Sequence, residues 1–483
     1  MPKLPDIFLS ETRALLGDRL FGSFMEAMDN ETPVSIRLNP FKPSGKKDML
    51  RRLGISSEVP WCKDGFYLSR RPQFTFEPWF HAGKFYVQEA SSMFISHVLT
   101  SWTEQKGSDK PLTVLDLCAA PGGKSTAAIS SLPKGSIVVA NEPIRQRASV
   151  LAENMCKWGN PHSMVTCAKP SDWAASGLLF DVVICDVPCS GEGMFRKDPD
   201  SISEWNPQSP GRHQKLQKEI VDEGWKCLRE GGLMIYSTCT LNVAENEDVI
   251  DYILCRYPSS LFRVSCPESW RIIGSLGSHD LEGVYRFIPG MAKGEGLFMA
   301  SIIKGGESDN SSSAPKSGIN TMYKGKTRNN PRYSGSGRQV KNDISPWIES
   351  PEEFDVFSVK NSLVAIPKSM TPLYIDASDC LNVILAGIEI GRIGREGLEP
   401  SHALSMSSAL KRGSFPETNL SLSDSIDYLR RYCLTLPPSV PKGFVLACND
   451  GVPMGWLKNV GPRANNSYPR EWRIKSQYNH DIQ

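Results

Sequence analysis

Between residues 111 and 304 short, unbroken apolar runs alternate with segments of helical composition, and this constrains the fold more than any other feature of the chain. The runs are Val114-Leu-Asp-Leu-Cys118, Ile137-Val-Val-Ala-Asn-Glu142, Asp181-Val-Val-Ile-Cys-Asp186, Leu233-Met-Ile-Tyr-Ser237 and Leu297-Phe-Met-Ala-Ser-Ile-Ile303. A half-buried strand alternates polar with apolar residues, whereas β-branched runs without that alternation belong to strands covered on both faces. The pattern predicts an α/β fold, a Rossmann-like parallel sheet with helices on either side. Ligands of such sheets bind beyond the carboxyl ends of the strands. Cys118–Lys124, Glu142, Asp186–Glu192 and Ser237–Thr240 are expected to converge there.

The flanks read differently. Phe8, Leu15, Leu16, Leu20, Phe24 and Met25 fall at helical steps and predict an amphipathic helix opening an α+β module over residues 1–110. Within it, nine aromatics crowd the 26 residues from Trp61 to Tyr86, beside Lys63, Arg70, Arg71 and Lys84. They are either a packed core or a stacking surface for bases, and the core is the more common use. From Lys304 to Lys341 the chain turns rich in Gly, Ser and Asn and nearly loses its aliphatic residues, the composition of a flexible basic linker. The expected division is 1–110, 111–304, a linker over 305–345, and a C-terminal extension over 346–483.

Composition limits the partners. Lys and Arg number 55 against 53 Asp and Glu, so a nucleic acid must be met by local patches and not by a global basic coat. No run of 18 apolar residues occurs and the first residues lack a secretory pattern, so a cytoplasmic chain without membrane spans is expected. Thirteen cysteines without a CxxC pair read as reduced thiols, with neither a disulfide framework nor a metal site.

Chemistry concentrates at the strand ends. The first run leads into Cys118-Ala119-Ala120-Pro121-Gly122-Gly123-Lys124, where paired glycines let backbone approach a ligand before a helix begins. Gly-Lys-Ser suggests a phosphate-binding P-loop, but that motif needs a glycine where Cys118 stands. A Rossmann-type cofactor loop fits better, with Glu142 at the end of the next strand to accept hydrogen bonds from ribose hydroxyls. Taken alone, Glu142 could equally be a solvated strand-end acid. Cys189, just after Asp186-Val-Pro, and Cys239, in Ser-Thr-Cys, each follow a strand. A single such cysteine is usually a small buried hydrophobe; two at the mouth of one crevice suggest nucleophilic work.

Three motifs together resemble the Nol1/Nop2/Sun family of RNA (cytosine-5) methyltransferases: Leu117-Cys-Ala-Ala-Pro-Gly-Gly-Lys124, Asp186-Val-Pro-Cys-Ser-Gly191, and Ser237-Thr-Cys239 followed by Glu245-Asn-Glu247. Leu4-Pro-Asp-Ile-Phe8 and Phe85-Tyr-Val-Gln-Glu-Ala90 are similar to the N-terminal module of the family's bacterial ribosomal small-subunit methyltransferase F group. Glu399-Pro-Ser-His-Ala-Leu404 and Asp450-Gly-Val-Pro-Met-Gly-Trp456 are similar to that group's C-terminal extension.

The resemblance implies a Rossmann-like class I methyltransferase core, an N-terminal RNA-binding module and a C-terminal PUA-like RNA-binding region. It implies S-adenosyl-L-methionine as cofactor, contacted by Cys118 to Lys124, Glu142 and Asp186, and RNA as partner, first of all 16S rRNA within the 30S subunit. By family position Cys239 is the nucleophile that adds to cytosine C6. Cys189 assists loss of the C5 proton and release, Asp186 serves N3, and Lys124 helps electrostatically. Arg463, Asn465, Asn466 and Arg470 are the expected RNA contacts of the C-terminal region. A tRNA substrate and a catalytically silent RNA-binding assembly factor are the alternatives. The chain departs from many relatives in having Gly290 where a histidine is common, and in offering only Lys169 or Asp172 for a further acidic cofactor contact.

Overall fold

In the computed structural model, which describes residues 3–42, 46–306, 338–339, 344–394 and 397–476, the chain opens with the helix Asp6–Met28. Its expected stripe is present: Phe8, Leu16 and Phe24 are buried, although the helix breaks at Gly17. Phe8 packs edge-on to Phe195 at 5.0 Å and to Trp205 at 6.0 Å, so the helix covers the segment that follows Cys189. Strands β1 (Ser35–Leu38), β2 (Ile55–Glu58), β3 (Gly65–Leu68) and β4 (Phe85–Val87) form a small sheet in the order β2-β3-β1-β4. Trp61, Phe66, Tyr67, Phe74, Trp79 and Phe85 are buried beneath it, and Lys84 lies 3.2 Å over the Trp79 ring. These aromatics form a core, not a surface for stacking bases.

The central runs form β5 (Thr113–Asp116), β6 (Ile137–Asn141), β7 (Ser163–Thr166), β8 (Phe180–Asp186), β9 (Leu228–Thr238), β10 (Ser259–Leu261), β11 (Val284–Phe287) and β12 (Leu297–Lys304). The sheet runs β10-β12-β9-β8-β5-β6-β7, with β11 paired to β12. Burial on both faces is explicit in the packing. Val114, Val182 and Ile184 face the helices Phe94–Lys106 and Gly123–Ser131, while Leu115, Val183 and Cys185 face Ser209–Lys226 and Glu247–Arg256. Strands β5 to β9 pair in parallel, as expected, but β12 runs antiparallel to β9. An unbroken apolar run specifies two covered faces and says nothing about direction, so this reversal was not legible in composition.

Beyond residue 343 the chain does not stay apart. The strand Val383–Ala386 adds antiparallel to the free edge of β7, extending the central sheet. Gly443–Asn449 and Val452–Asn459 form a hairpin whose apolar side joins the N-terminal module: Ile36, Phe66 and Trp79 share one cluster with Tyr428, Val445 and Tyr468. Arg52 ties the same seam, reaching Asp450 at 2.7 Å and Glu77 at 2.8 Å. The expected linker lies almost wholly outside the described residues.

Candidate active site

The loop after β5 turns on Gly122, whose φ of +112° is open to glycine and strained for other residues, and delivers the chain into the helix Gly123–Ser131. Its outer side is held by residues far away in sequence. Tyr86 Oη and Asn154 Nδ2 both donate to the Pro121 carbonyl, at 3.1 and 2.8 Å. Arg37, 1% exposed, donates to the Gly123 carbonyl at 3.3 Å, to Thr126 Oγ1 at 2.6 Å and to Gln88 Oε1 at 2.7 Å. Burial lowers its guanidinium to about 10, so it is charged at neutral pH. Asn141, at the end of β6, joins the neighbouring loops by donating to the carbonyls of Leu117 and Ala168.

Two acids face this crevice with oxygens left over. Asp116 is fully buried, accepts from Ser125 Oγ at 2.6 Å through Oδ2, and keeps a buried Oδ1 without a hydrogen-bond partner. Burial raises it to about 7, against the opposing hydrogen bond from Ser125. Glu142 is not the solvated acid its position allowed: it is 1% exposed, and its Oε1 accepts from the Ile144 amide at 3.0 Å. Its Oε2 has no hydrogen bond and lies 3.4 Å from Arg147. Buried acceptors without donors are costly. A ligand carrying hydroxyls and an ammonium, as S-adenosylmethionine does, satisfies both, so the residues present fit that cofactor. Cys118 is buried beside these acids; burial first, then the neighbouring Cys185 and the acids, push its thiol far above the usual range, so it is a small packing group and not a nucleophile.

The two remaining thiols meet. Cys189 Sγ lies 3.3 Å from Cys239 Sγ, and the Cys239 amide donates to Cys189 Sγ at 3.3 Å. The hydrogen bond to Cys239, followed by burial, pushes Cys189 well above the ordinary thiol range. Cys189 is therefore held toward its protonated form at neutral pH, in hydrogen-bond contact with Cys239. Lys124 Nζ stands 2.8 Å from Asp186 Oδ1, and Ser237 Oγ donates to the same oxygen at 2.7 Å. Burial works against the Lys124 ammonium, but the Asp186 carboxylate outweighs it and holds its pKa above the ordinary value, with charge on Cys239 adding to the effect.

The structure thus brings together Cys118–Lys124, Glu142, Asp186, Cys189 and Cys239. It also shows what the motifs concealed. Asp116 and Asn141 were visible as polar residues inside the first two apolar runs; Arg37 had no such signal, because its role depends on contacts across nearly ninety positions. Glu247 is occupied by a buried ion pair with Arg286. Gly290, with φ +87°, has no room for a side chain: a Cβ there would stand 2.2 Å from the Ser23 carbonyl oxygen. Asp172 Oδ2 accepts from the Lys169 amide at 3.0 Å, closing a helix start. Of the expected C-terminal RNA contacts, Arg463 and Arg470 are exposed, whereas Asn466 spends its amide on the Tyr428 and Tyr432 carbonyls. Trp456 is fully buried and bonds the Ser401 carbonyl, so it packs this region's own core.

Fold and site together define a methyltransferase of the class that uses S-adenosylmethionine. Family models match along the chain: 16S rRNA methyltransferase RsmB/F over residues 105–303, the N-terminal domain of 16S rRNA methyltransferase RsmF over 4–90, and the methyltransferase RsmF PUA domain over 415–474. Ribosomal RNA small subunit methyltransferase F of Klebsiella pneumoniae is 28% identical over 97% of this chain and 96% of its own length. The protein of that name from Cronobacter sakazakii is 29% identical over the same shares. A methyltransferase homologue from Pyrococcus horikoshii superposes with a TM-score of 0.52 at 27% identity, covering 62% of this chain and 95% of that one. NSun6 of the same organism, solved with SFG, has the same TM-score at 19% identity, covers 62% of this chain and 98% of that one, and shows the fold. The chain belongs to the Nol1/Nop2/Sun methyltransferases as an RsmF-like member, and it is an S-adenosylmethionine-dependent RNA methyltransferase with a C-terminal PUA domain.

Proposed function

We propose that the chain methylates C5 of cytidine in the 16S rRNA of the small ribosomal subunit, in the cytoplasm, through a covalent bond between Cys239 and cytosine C6. The observation that carries this reading is the pair of thiols 3.3 Å apart, at strand ends they share with the cofactor loop and the Lys124–Asp186 pair. The names of the F-type relatives support the choice of RNA.

Cytosine C5 is a weak nucleophile, and a thiolate added at C6 makes it a strong one. Cys239 Sγ forms the S–C6 bond, and the ring's electron pair moves toward C5 and N3, where the ammonium of Lys124, oriented by Asp186, suits the new negative charge. Bound S-adenosylmethionine supplies the methyl group that C5 takes up. The C5 proton must then leave. Cys189 as thiolate takes it, the C–H electron pair restores the C5–C6 double bond, and the S–C6 bond breaks to return the Cys239 thiolate. The hydrogen bond to Cys239 is the largest cause of Cys189's raised pKa. That cause disappears while Cys239 is bonded to carbon, so Cys189 then releases its own proton to water more readily and is available as the thiolate that takes the C5 proton. Because C5 and C6 are stacked inside a helix, the target base must be unpaired or flipped out. The N-terminal module and the C-terminal PUA domain then hold the flanking RNA by shape and phosphates.

The test is methyl transfer to assembled 30S subunits, naked 16S rRNA and tRNA, each digested to nucleosides. The reading expects 5-methylcytidine from the ribosomal RNA. Methyl groups in tRNA alone, or on another atom, would overturn it.

A further inference from the structure

The two cysteines lie on separate loops, 50 residues apart in sequence, yet their sulfurs are 3.3 Å apart. Beside direct bonds from the Gly193 amide to the Cys239 carbonyl at 2.9 Å and between Ser190 Oγ and Thr240 Oγ1 at 2.8 Å, the loops are braced by a pair of buried carboxylates that cross over. Glu192, three residues after Cys189, reaches into the Cys239 loop: Oε2 accepts from Thr240 Oγ1 at 2.8 Å and from the backbone amides of Leu241 and Asn242 at 3.1 and 3.0 Å. Its Oε1 accepts from Trp205 Nε1 at 3.1 Å. Glu245, six residues after Cys239, reaches back into the Cys189 loop: Oε2 accepts from the Ser190 amide at 3.0 Å and from Gln217 Nε2 at 2.7 Å, and Oε1 accepts from Ser190 Oγ. Asn242 Nδ2 stands between them, 3.1 Å from Glu192 Oε1 and 2.9 Å from Glu245 Oε1. Glu192 is 4% exposed and Glu245 fully buried, and the partners named here are neutral donors, not a Lys or Arg.

We infer that Glu192 and Glu245 are positioning residues with opposite assignments: Glu192 places Cys239 for attack, and Glu245 places Cys189 for release. The inference deepens the two-cysteine reading above and rests on it. Each acid presents only acceptors to a ring of donors. A glutamine in its place, whichever way its amide turns, points an NH2 group at obligatory N–H donors and pushes the opposite loop away. A shift of about 1 Å at a reacting atom costs on the order of 100-fold in rate. The two displacements differ in kind, because one removes the nucleophile and the other removes the base that frees it.

The experiment measures single-turnover methyl transfer and covalent protein–RNA adduct on a denaturing gel, for the full chain and its Glu192→Gln, Glu245→Gln, Cys189→Ala and Cys239→Ala variants, with cofactor affinity and melting temperature alongside. The expected result is that Glu245→Gln accumulates adduct about tenfold above wild type, as Cys189→Ala does, while Glu192→Gln, like Cys239→Ala, forms little. Cofactor affinity should stay within about twofold throughout. Should Glu245→Gln fail to fold, Ser190→Ala, which removes one donor to Glu245, is expected to accumulate adduct more weakly. If the cysteine variants behave as stated but the glutamate variants lose both steps equally, or follow cofactor affinity, the crossed assignment is wrong. If Cys189→Ala gives no adduct and Cys239→Ala still methylates, the two-cysteine reading itself fails.

Discussion

Single side chains in this protein are tuned mainly by burial, and two histidines show the sign of the effect. Both ring nitrogens of His402 are buried without hydrogen bonds, and His81 is 8% exposed. Burial, with Lys157 as a second cause, lowers each to about 3. A depressed pKa means that the folded state refuses a proton the unfolded chain accepts. Stability from each is complete above about pH 6.5 and is lost as pH falls toward 3, at about 1.4 kcal/mol per pH unit per histidine. Melting temperature should therefore fall steadily from pH 7 to 5, and His402→Phe should flatten the slope; an unchanged slope would refute the assignment. At the site, Lys124→Met removes the only charge in the Lys124–Asp186 pair that suits an anionic ring. It should lower the methyl-transfer rate by about 100-fold, measured in a single turnover at saturating RNA.

At the scale of loops and helices, the cofactor loop depends on the N-terminal module. Arg37→Ala would strip donors from Gln88, Gly123 and Thr126 and leave buried acceptors unpaired, at about 1–3 kcal/mol each. Calorimetric binding of S-adenosylmethionine should weaken by about tenfold or more. Arg37→Lys should not restore it, since one ammonium cannot reproduce the planar fork; full recovery with lysine would contradict this account. What the sequence disclosed at this scale, and what it hid, follows from range. Strands β5, β6 and β8, the Gly122–Gly123 turn and both cysteines carry their signal within a few residues. The crossed carboxylates, Arg37 and the antiparallel β12 depend on which distant segments meet, and no local pattern records that. Glu245 and Glu247 were visible within a motif, but their roles as buried braces were not.

Across the whole molecule, the N-terminal module, the central sheet and the C-terminal extension are one packed unit. Trp79 Nε1 donates to the Asn449 carbonyl, Arg52 bridges to Asp450, and Val383–Ala386 completes the edge of β7. A chain ended at residue 306 would bare the apolar side of β1 and β3 and an unpaired strand edge, an aggregation hazard. It should melt at least about 5 °C lower than the full chain and bind a hydrophobic dye. Equal melting temperatures would show the extension to be a separable RNA-binding appendage.

The central claim is that Cys239 attacks the base while Cys189 sets it free, and mass spectrometry of the trapped species tests it most directly. The Cys189→Ala protein, incubated with small-subunit RNA and S-adenosylmethionine and digested with protease and nuclease, should yield a peptide carrying a methylated cytidine on Cys239. A nucleotide attached to any other residue, or methylated RNA released at the wild-type rate with no attachment, would contradict the account.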